Sequence, residues 1–484
     1  MIPNLLRHKG SAVILDPKGE NFLVTAQKRS NLGNRVFYYD PWNIIEDYSK
    51  QHRSNLARNA AKAVINPLDL IEQADKDMLD KANMLASSMV VRPEDNKDPL
   101  FFDQATLFIT RLIIYVCTAY AKGNKARTLE TVRKLITSDK KSVLQEIDGF
   151  CKSNPQTNRI IVELRNWIDD NFFQRKTAAS QNFIQIAENA TNFLLSEHVR
   201  DSLSGASNID MLSLKINPTS LYLIFDTVKL VNQADYYKPL IRLIIAACMI
   251  GASVNRQPKE SLLFMLDEIA QLGTLHYLPG LLAIYAGKGV VVWTIWQNLA
   301  QIKKNYPDDW STIIGNCSVQ QYFGVNEQET AEYVSKEAGN TTIYEETYTE
   351  SDQAGGSQSD TTGWGNQYSS GTSSTTGSST GYSYSGFNYT NSGGKSNSQT
   401  TSSNYTDSYN FSRTIQKSFS KTKGRNLAKK AVPLITPYEV STGNAYGVQF
   451  VFFKGKCIYP ILSGKIKYYD DKEFLGEFGD NLTR

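Results

Sequence analysis

Short apolar runs that stop at an acid or an amide, each followed by apolar residues at helical spacing, recur along this chain. They occupy residues 11–16 (SAVILD), 35–40 (RVFYYD), 221–226 (LYLIFD), 262–267 (LLFMLD) and 290–296 (VVVWTIW), the last running into Gln297. A short run without polar alternation fits a strand buried on both faces of a parallel sheet. Residues 20–30 carry a helical pattern between the first two runs, which reads as a βαβ unit with parallel strands. Further helices are predicted over 239–254, 278–286 and 327–339, and a sixth strand over 319–323. Strand and helix in alternation predict an α/β fold with a doubly wound, mostly parallel sheet.

The pattern changes between Pro67 and Ser204, where apolar residues keep helical spacing and no strand is convincing. Helices are expected over 69–89, 104–120, 128–136, 158–171 and 180–196, punctuated at 124–128, 138–141 and 153–155. This is the layout of an all-helical domain inserted between strands of the sheet. Residues 343–411 are different again: Gly, Ser, Thr, Asn and Tyr, with Trp364, Tyr368, Tyr382, Tyr384, Phe387, Tyr389, Tyr405 and Tyr409 among them. Such a tract buries too little aliphatic surface to offset ordering and is expected to be disordered. Beyond Leu434, residues 448–453 and 457–462 around Lys454-Gly455-Lys456 read as a β-hairpin.

Composition narrows the class. With 484 residues and 41% hydrophobic content, the chain can build a large core and more than one domain. A net charge of +4 permits a nucleic-acid partner without arguing for one. Cys117, Cys151, Cys248, Cys317 and Cys457 are odd in number and widely spaced, which reads as reduced core residues and no zinc site. His8, His52, His198 and His276 share no ligand spacing. The opening residues have no secretory h-region, and the apolar windows 107–120 and 240–254, interrupted by Arg111 and Arg242, are short for a bilayer span. The expectation is a cytoplasmic chain with no transmembrane segment.

Polar residues fall where a parallel sheet presents them to a ligand, beyond the carboxyl ends of its strands: Asp16, the pair Asp267-Glu268, and Gln297. Run 262–267 ending in two acids has the design of a Walker B strand. There the first acid holds the Mg²⁺ shell and the second polarises the attacking water, while a Gln on the next strand senses the γ-phosphate. Any one of these residues is a weak signal, and the acid pair taken alone favours a cap of the next helix. The ordered set is what argues for a nucleotide site.

On these residues the chain resembles the type IV secretion coupling proteins, the TraG/TraD family of conjugative DNA-transfer ATPases. The matching stretches are Leu15-Asp16-Pro17-Lys18-Gly19-Glu20, Tyr39-Asp40-Pro41, Asn66-Pro67-Leu68-Asp69, Pro239-Leu240-Ile241-Arg242-Leu243, Leu266-Asp267-Glu268, and Trp296-Gln297-Asn298-Leu299-Ala300-Gln301-Ile302. Pro433-Leu434-Ile435-Thr436-Pro437 and Lys467-Tyr468-Tyr469 match the family's ending. The resemblance implies a RecA-like P-loop NTPase-type fold. Residues 1–65 would form its first part, 66–204 the inserted all-α domain, and 205–342 its second part with Walker B. Residues 343–425 would be a disordered insertion, and 426–484 would complete the RecA-like domain.

It also implies ATP and Mg²⁺ as cofactors, with Asp16, Lys18 and Asp267 binding nucleotide and Asp267 the metal carboxylate. Asp267, Glu268 and Gln297 would be the catalytic residues. The implied partners are single-stranded DNA with its relaxase or secreted effector proteins, together with the secretion channel's ATPases and inner-membrane components. The setting is a homo-hexamer at the cytoplasmic face of the bacterial inner membrane.

Two departures accompany the match. The family's membrane helices and its G-x-x-x-x-G-K-[ST] loop would precede residue 11, and the G-K-S at Gly394-Lys395-Ser396 has Tyr389 where the first glycine belongs. This reads as a truncated motor portion that is not expected to hydrolyse ATP by itself. The slot of a possible arginine finger holds Lys288, which suits bidentate contact poorly. The basic residues from Arg413 to Lys430, and Lys303 and Lys304, are weak candidates for DNA contact, with a solvated charged edge the better reading. The alternative function is a non-catalytic cargo-binding or assembly component of the same system.

Overall fold

A computed structural model describes residues 1–52, 59–73, 75–92, 99–174, 178–254, 256–362, 371–385, 388–406, 411–443, 447–457 and 459–479. Trp364, Tyr368, Phe387 and Tyr409 lie outside the described residues. Two compact units form: residues 1–320 with 453–456 and 464–484, and residues 321–452 with 457–463.

The first unit is built on a six-stranded sheet of β1 (Ala12–Leu15), β2 (Arg35–Tyr39), β3 (Ala60–Lys62), β4 (Thr219–Leu223), β5 (Leu262–Leu266) and β6 (Val290–Thr294), in the order β3-β2-β4-β1-β5-β6. Every pairing within it is parallel. β1, β4 and β5 are buried along their whole length, as unalternating apolar runs require. Helix Glu20–Asn31 covers one face, seating Phe22 and Ala26 against Ile14, Tyr38 and Tyr222. The Phe22 and Tyr222 rings meet edge to face at 5.3 Å. Each fully buried aromatic or large aliphatic side chain here contributes roughly 1.5–3 kcal/mol.

From Pro67 to Leu203 all described regular elements are helical. The expected helix 69–89 is instead a 3₁₀ turn, Pro67–Leu70, followed by helix Met78–Met89. Asn66 caps the start of the turn by accepting from Leu68 N at 3.1 Å, and the extended backbone of Ile71 ends it before the apolar face can continue. A helix absent from the expectation, Lys140–Ser153, starts where Asp139 accepts from Ser142 N at 3.0 Å. Residues 138–141 read as punctuation because the capping signal itself resembles a turn.

The two segments flanking this helical stretch are clasped together. Asn66 donates through Nδ2 to Arg127 O (2.8 Å) and Gly205 O (3.1 Å). Asp69 Oδ2 accepts from Ser207 N and Oγ at 2.9 and 2.8 Å. Asn208 bridges Val64 N and Lys62 O at 2.9 and 2.8 Å.

Among the described residues two helices, Leu100–Ala119 and Ala234–Ser253, are long and apolar enough to cross a membrane by length and composition, longer than the windows 107–120 and 240–254 read from the sequence. Ala234–Ser253 is mostly buried inside the unit. Its Gly251 packs so closely that a Cβ there would meet Met211 O at 2.2 Å.

The expected sixth strand is corrected. Residues 319–323 supply β7 (Val319–Tyr322), which belongs to a separate three-stranded sheet with β12 (Val448–Phe453) and β13 (Ile461–Gly464). Its sequence, Val-Gln-Gln-Tyr, puts two amides where a strand covered on both faces needs apolar residues. The sixth place in the parallel sheet is taken by β3, whose Ala-Ala-Lys is too short and small to announce a strand. The hairpin reading of 448–462 places the right strands next to each other, with a longer connection than Lys454-Gly455-Lys456. The second unit's core gathers Val325, Ala331, Val334, Ile435, Val440, Phe450 and Phe452.

Within 343–425, expected to be disordered, the described residues form strands, and 363–370, 386–387 and 407–410 lie outside the described residues. β8 (Asn340–Thr362), β9 (Gly371–Ser385), β10 (Asn388–Thr406) and β11 (Phe411–Pro433) form an antiparallel sheet in the order β8-β11-β10-β9. Thr and Tyr favour strands, and hairpin ladders satisfy the backbone without a core. The aliphatic poverty of the tract speaks against a buried core, not against strands. The basic run on β11 meets the acids of β8. Lys421 and Lys423 pair with Glu350 at 3.4 and 3.0 Å, Lys430 with Glu345 at 3.2 Å, and Arg425 with Glu346. It is a charge-matched ladder, in line with the solvated-edge reading.

Candidate nucleotide site

β1, β5 and β6 are neighbours, with Leu15 level with Leu266 and Leu266 level with Thr294. Their carboxyl ends therefore bring Asp16, Lys18, Asp267, Glu268 and Gln297 to one edge of the sheet. This is the crevice where open α/β sheets bind ligands.

Asp16 is buried at this edge. Its Oδ1 accepts from Asn21 N and Nδ2 at 3.2 and 3.1 Å, and its Oδ2 from Phe22 N at 2.8 Å. The carboxylate is thus occupied in holding the turn into helix Glu20–Asn31, the capping role the sequence also allowed. Burial pushes its pKa up to about 7 against the pull of these donors, with the Asp267 charge adding to the rise. The turn depends on Gly19, at φ 72°, where a Cβ would lie 2.6 Å from Ile45 Cδ1. Lys18 is exposed on it and acts on Asp267, lowering that acid's pKa.

Asp267 is half-buried. Burial lifts its carboxyl above the ordinary range, the neighbouring Glu268 charge adds to this, and the Glu268 N–H, the Met1 amino group and Lys18 oppose it. The Glu268 N–H donates to Asp267 Oδ1 at 3.0 Å. Glu268 itself stands at φ 47°, ψ 36°, a left-handed conformation shared among the described non-glycine residues only by Asn43. Such a backbone costs about 1–2 kcal/mol for a residue with a Cβ and points to a site where geometry outranks stability. The Gln271 side-chain amide donates to Glu268 Oε2.

Gln297 is exposed beyond β6. Its backbone N–H donates to Gln301 Oε1 at 3.0 Å, and Gln301 Nε2 donates to Gln297 Oε1 at 3.0 Å. Gln271 and Gln301 were not singled out by sequence reasoning as functional residues. Their spacing of three and four residues after Glu268 and Gln297 was the available signal.

The donor set fits a hard divalent cation. Mg²⁺ is held by one or two carboxylates plus water and phosphate oxygens, and Asp267 beside Glu268 offers crowded oxygen donors that a cation relieves. No cluster of three or more metal-ligating side chains occurs among the described residues, so water and phosphate oxygens would supply the remaining ligands of such an ion. The other candidates are placed elsewhere: Lys288 lies over the Tyr285 ring at 5.7 Å and Lys303 over Trp310 at 4.5 Å. An open groove of about 560 Å³ in the second unit is lined mainly by apolar residues such as Ile435, Phe450 and Leu462. Its Glu439 is engaged in a capping box with Thr436, so the groove offers no phosphate chemistry.

Over 368 residues the chain is 24% identical to the conjugal transfer protein TraG of Escherichia coli, covering 72% of this chain and 54% of that protein. It is 22% identical over 350 residues to the protein VirD4 of Rhizobium radiobacter, covering 71% and 46%. The chain thus spans about half the length of these relatives. Among solved structures, the bacterial conjugative coupling protein TrwBdeltaN70 superposes with a TM-score of 0.57 at 12% identity, over 95% of this chain and 79% of that one. The plasmid coupling protein TrwB in complex with ADP and Mg²⁺ gives 0.56 at 12% identity, over 96% and 80%. These likenesses establish the RecA-like α/β fold. Residues 1–363 match the family model for type IV secretory system conjugative DNA transfer, and the chain belongs to that family.

Proposed function

We propose that this chain is the motor portion of a type IV secretion coupling protein, which uses ATP to deliver relaxase-bound single-stranded DNA or an effector protein to the secretion channel. The observation that carries the reading is the alignment of Lys18, Asp267-Glu268 and Gln297 at the carboxyl ends of three adjacent parallel strands. Bound Mg²⁺ would neutralise charge on the phosphate oxygens. Asp267 would hold the ion's hydration shell, and Glu268 would take the proton of the attacking water through the oxygen that Gln271 leaves open. Gln297 would contact the terminal phosphate, and Lys18 would offset negative charge at the same edge. Residues 66–204 would serve cargo recognition, residues 1–65 and 205–342 the nucleotide-binding domain. A homo-hexamer at the cytoplasmic face of the inner membrane is part of the same reading.

The test is allelic replacement in the cell that carries the gene. Glu268→Gln keeps size and removes the proton acceptor, so transfer of DNA or effector should fall by about 100-fold or more at unchanged protein level. Wild-type transfer with both Glu268→Gln and Asp267→Asn would sink the motor reading and leave the non-catalytic assembly component in its place.

A further inference from the structure

The two side chains assigned to water and phosphate are each braced by a glutamine, and for Gln297 the brace decides chemical polarity. The chain of donors starts from a group that cannot be reversed. A backbone N–H can only donate, so the atom of Gln301 facing Gln297 N at 3.0 Å is its oxygen. The other end of the Gln301 amide is then its NH₂, a donor, and the atom of Gln297 facing it at 3.0 Å is an acceptor oxygen. That leaves the Gln297 NH₂ turned outward at the exposed edge, and none of the described residues takes up its N–H groups. The amide orientation, ordinarily ambiguous between O and N, is determined here by connectivity. Gln301 is itself anchored, since its own N–H donates to Asn298 Oδ1 at 3.0 Å and its carbonyl accepts from Asn305 Nδ2 at 3.0 Å.

We infer that Gln301 is a positioning residue that sets Gln297 to present a hydrogen-bond donor, not an acceptor, to the nucleotide, so that Gln297 acts on a phosphate oxygen and leaves proton acceptance to Glu268. Gln271 plays the complementary part, since its amide occupies Glu268 Oε2 and leaves the other carboxylate oxygen as the acceptor. The edge then offers one donor and one acceptor with distinct partners, the phosphate and the water. This inference rests on the proposed nucleotide site and specifies which atom of Gln297 works there.

Two substitutions of opposite kind separate this role from plain helix capping. Gln301→Glu still accepts from Gln297 N, keeping the cap, but has no donor for Gln297 Oε1. The Gln297 amide then flips to donate to the new carboxylate and shows its oxygen outward. Gln301→Lys donates to Gln297 Oε1 and keeps the polarity, but cannot accept from Gln297 N. Transfer frequency after allelic replacement should fall at least about tenfold with Gln301→Glu and stay within about threefold of wild type with Gln301→Lys, the scale of losing one transition-state donor. The reverse ranking, or wild-type transfer with both, overturns the inference.

A second readout needs no turnover. In the chain labelled with ¹⁵N-glutamine, the Gln297 side-chain NH₂ pair, identified by its loss in Gln297→Ala, should shift in Gln301→Glu as it becomes a donor to a carboxylate. It should stay in place in Gln301→Lys. If both variants lose transfer, this readout decides: a shifted pair in the Glu variant supports the polarity, an unmoved pair overturns it. Wild-type transfer with Gln297→Ala would instead overturn the nucleotide reading, while the resonance still judges the amide's orientation.

Discussion

The parallel sheet of the first unit and the antiparallel sheet of residues 340–433 use charge in opposite ways. In the parallel sheet β1, β4 and β5 carry no charged residue along their length, and just past the ends of β1 and β5 Asp16 and Asp267 are desolvated and their affinity for protons rises. In the antiparallel sheet Lys421, Lys423, Arg425 and Lys430 on β11 pair with acids on β8, so these charges are answered by a neighbour of opposite sign. Partial burial without full neutralisation makes a charge chemically available. A solvated, paired charge is screened and does little beyond solubility.

The contrast can be broken most forcefully at the core. Phe264, fully buried at the centre of β5, replaced by Ala should cost about 3–5 kcal/mol in urea unfolding. Tyr348→Ala on β8, a residue 69% exposed, should leave the midpoint within about 0.5 kcal/mol. Equal effects would refute the division.

Next is the clasp around the helical stretch. Asn66→Ala strips the Arg127 and Gly205 carbonyls of their donor and should cost about 1–3 kcal/mol. Hydrogen exchange is expected to rise first at residues 63–71 and 205–208, and unchanged protection there would contradict the clasp.

Asp16 provides a pH test. Its carboxyl is raised from the ordinary 3.8 to about 7 in the fold, so between those values the folded chain holds a proton that the unfolded chain has released. Stability should therefore fall as pH rises from about 4 to 7, by at most about 1.4 kcal/mol per pH unit, and level off above. Asp16→Asn should flatten that arm of the profile. A slope of opposite sign would mean that the three donors outweigh burial.

Smaller still is Glu268→Gly, which relieves the left-handed strain and should stabilise by roughly 0.5–1 kcal/mol while removing the proton acceptor. A destabilised variant would show that the Gln271 contact outweighs the strain. At the bottom of the scale, Lys423→Ala on β11 should leave the melting temperature unchanged at any salt concentration.

Much of the first unit was readable along the chain because its strands are buried on both faces and so appear as unbroken apolar runs. β1, β2, β4 and β5 announced themselves in that way, β6 showed the same kind of run although of its residues only Val290 is buried, and the acid or amide that follows a run marks the boundary where the strand gives way to a turn. The candidate site's residue types followed from the same boundary. β3 escaped notice because three small residues on a sheet edge have no periodicity to read, and β7 was assigned to the wrong sheet because its apolar ends obscured two central glutamines. The long strands of 340–433 were missed because low hydrophobicity predicts the absence of a core, which hairpin ladders do not need.

By itself, then, the sequence determined which segments are buried strands, which are helices, and that carboxylates and an amide stand at strand ends, since burial and periodicity are local properties of a chain. Only the tertiary structure decided that β1 lies between β4 and β5, so that Lys18, Asp267 and Gln297 share one edge. It alone placed Glu268 in a left-handed turn and gave the Gln297 amide its direction. Strand order depends on contacts between residues far apart in the chain, and amide polarity on which backbone N–H a side chain meets. Neither leaves a periodic trace to be read in advance.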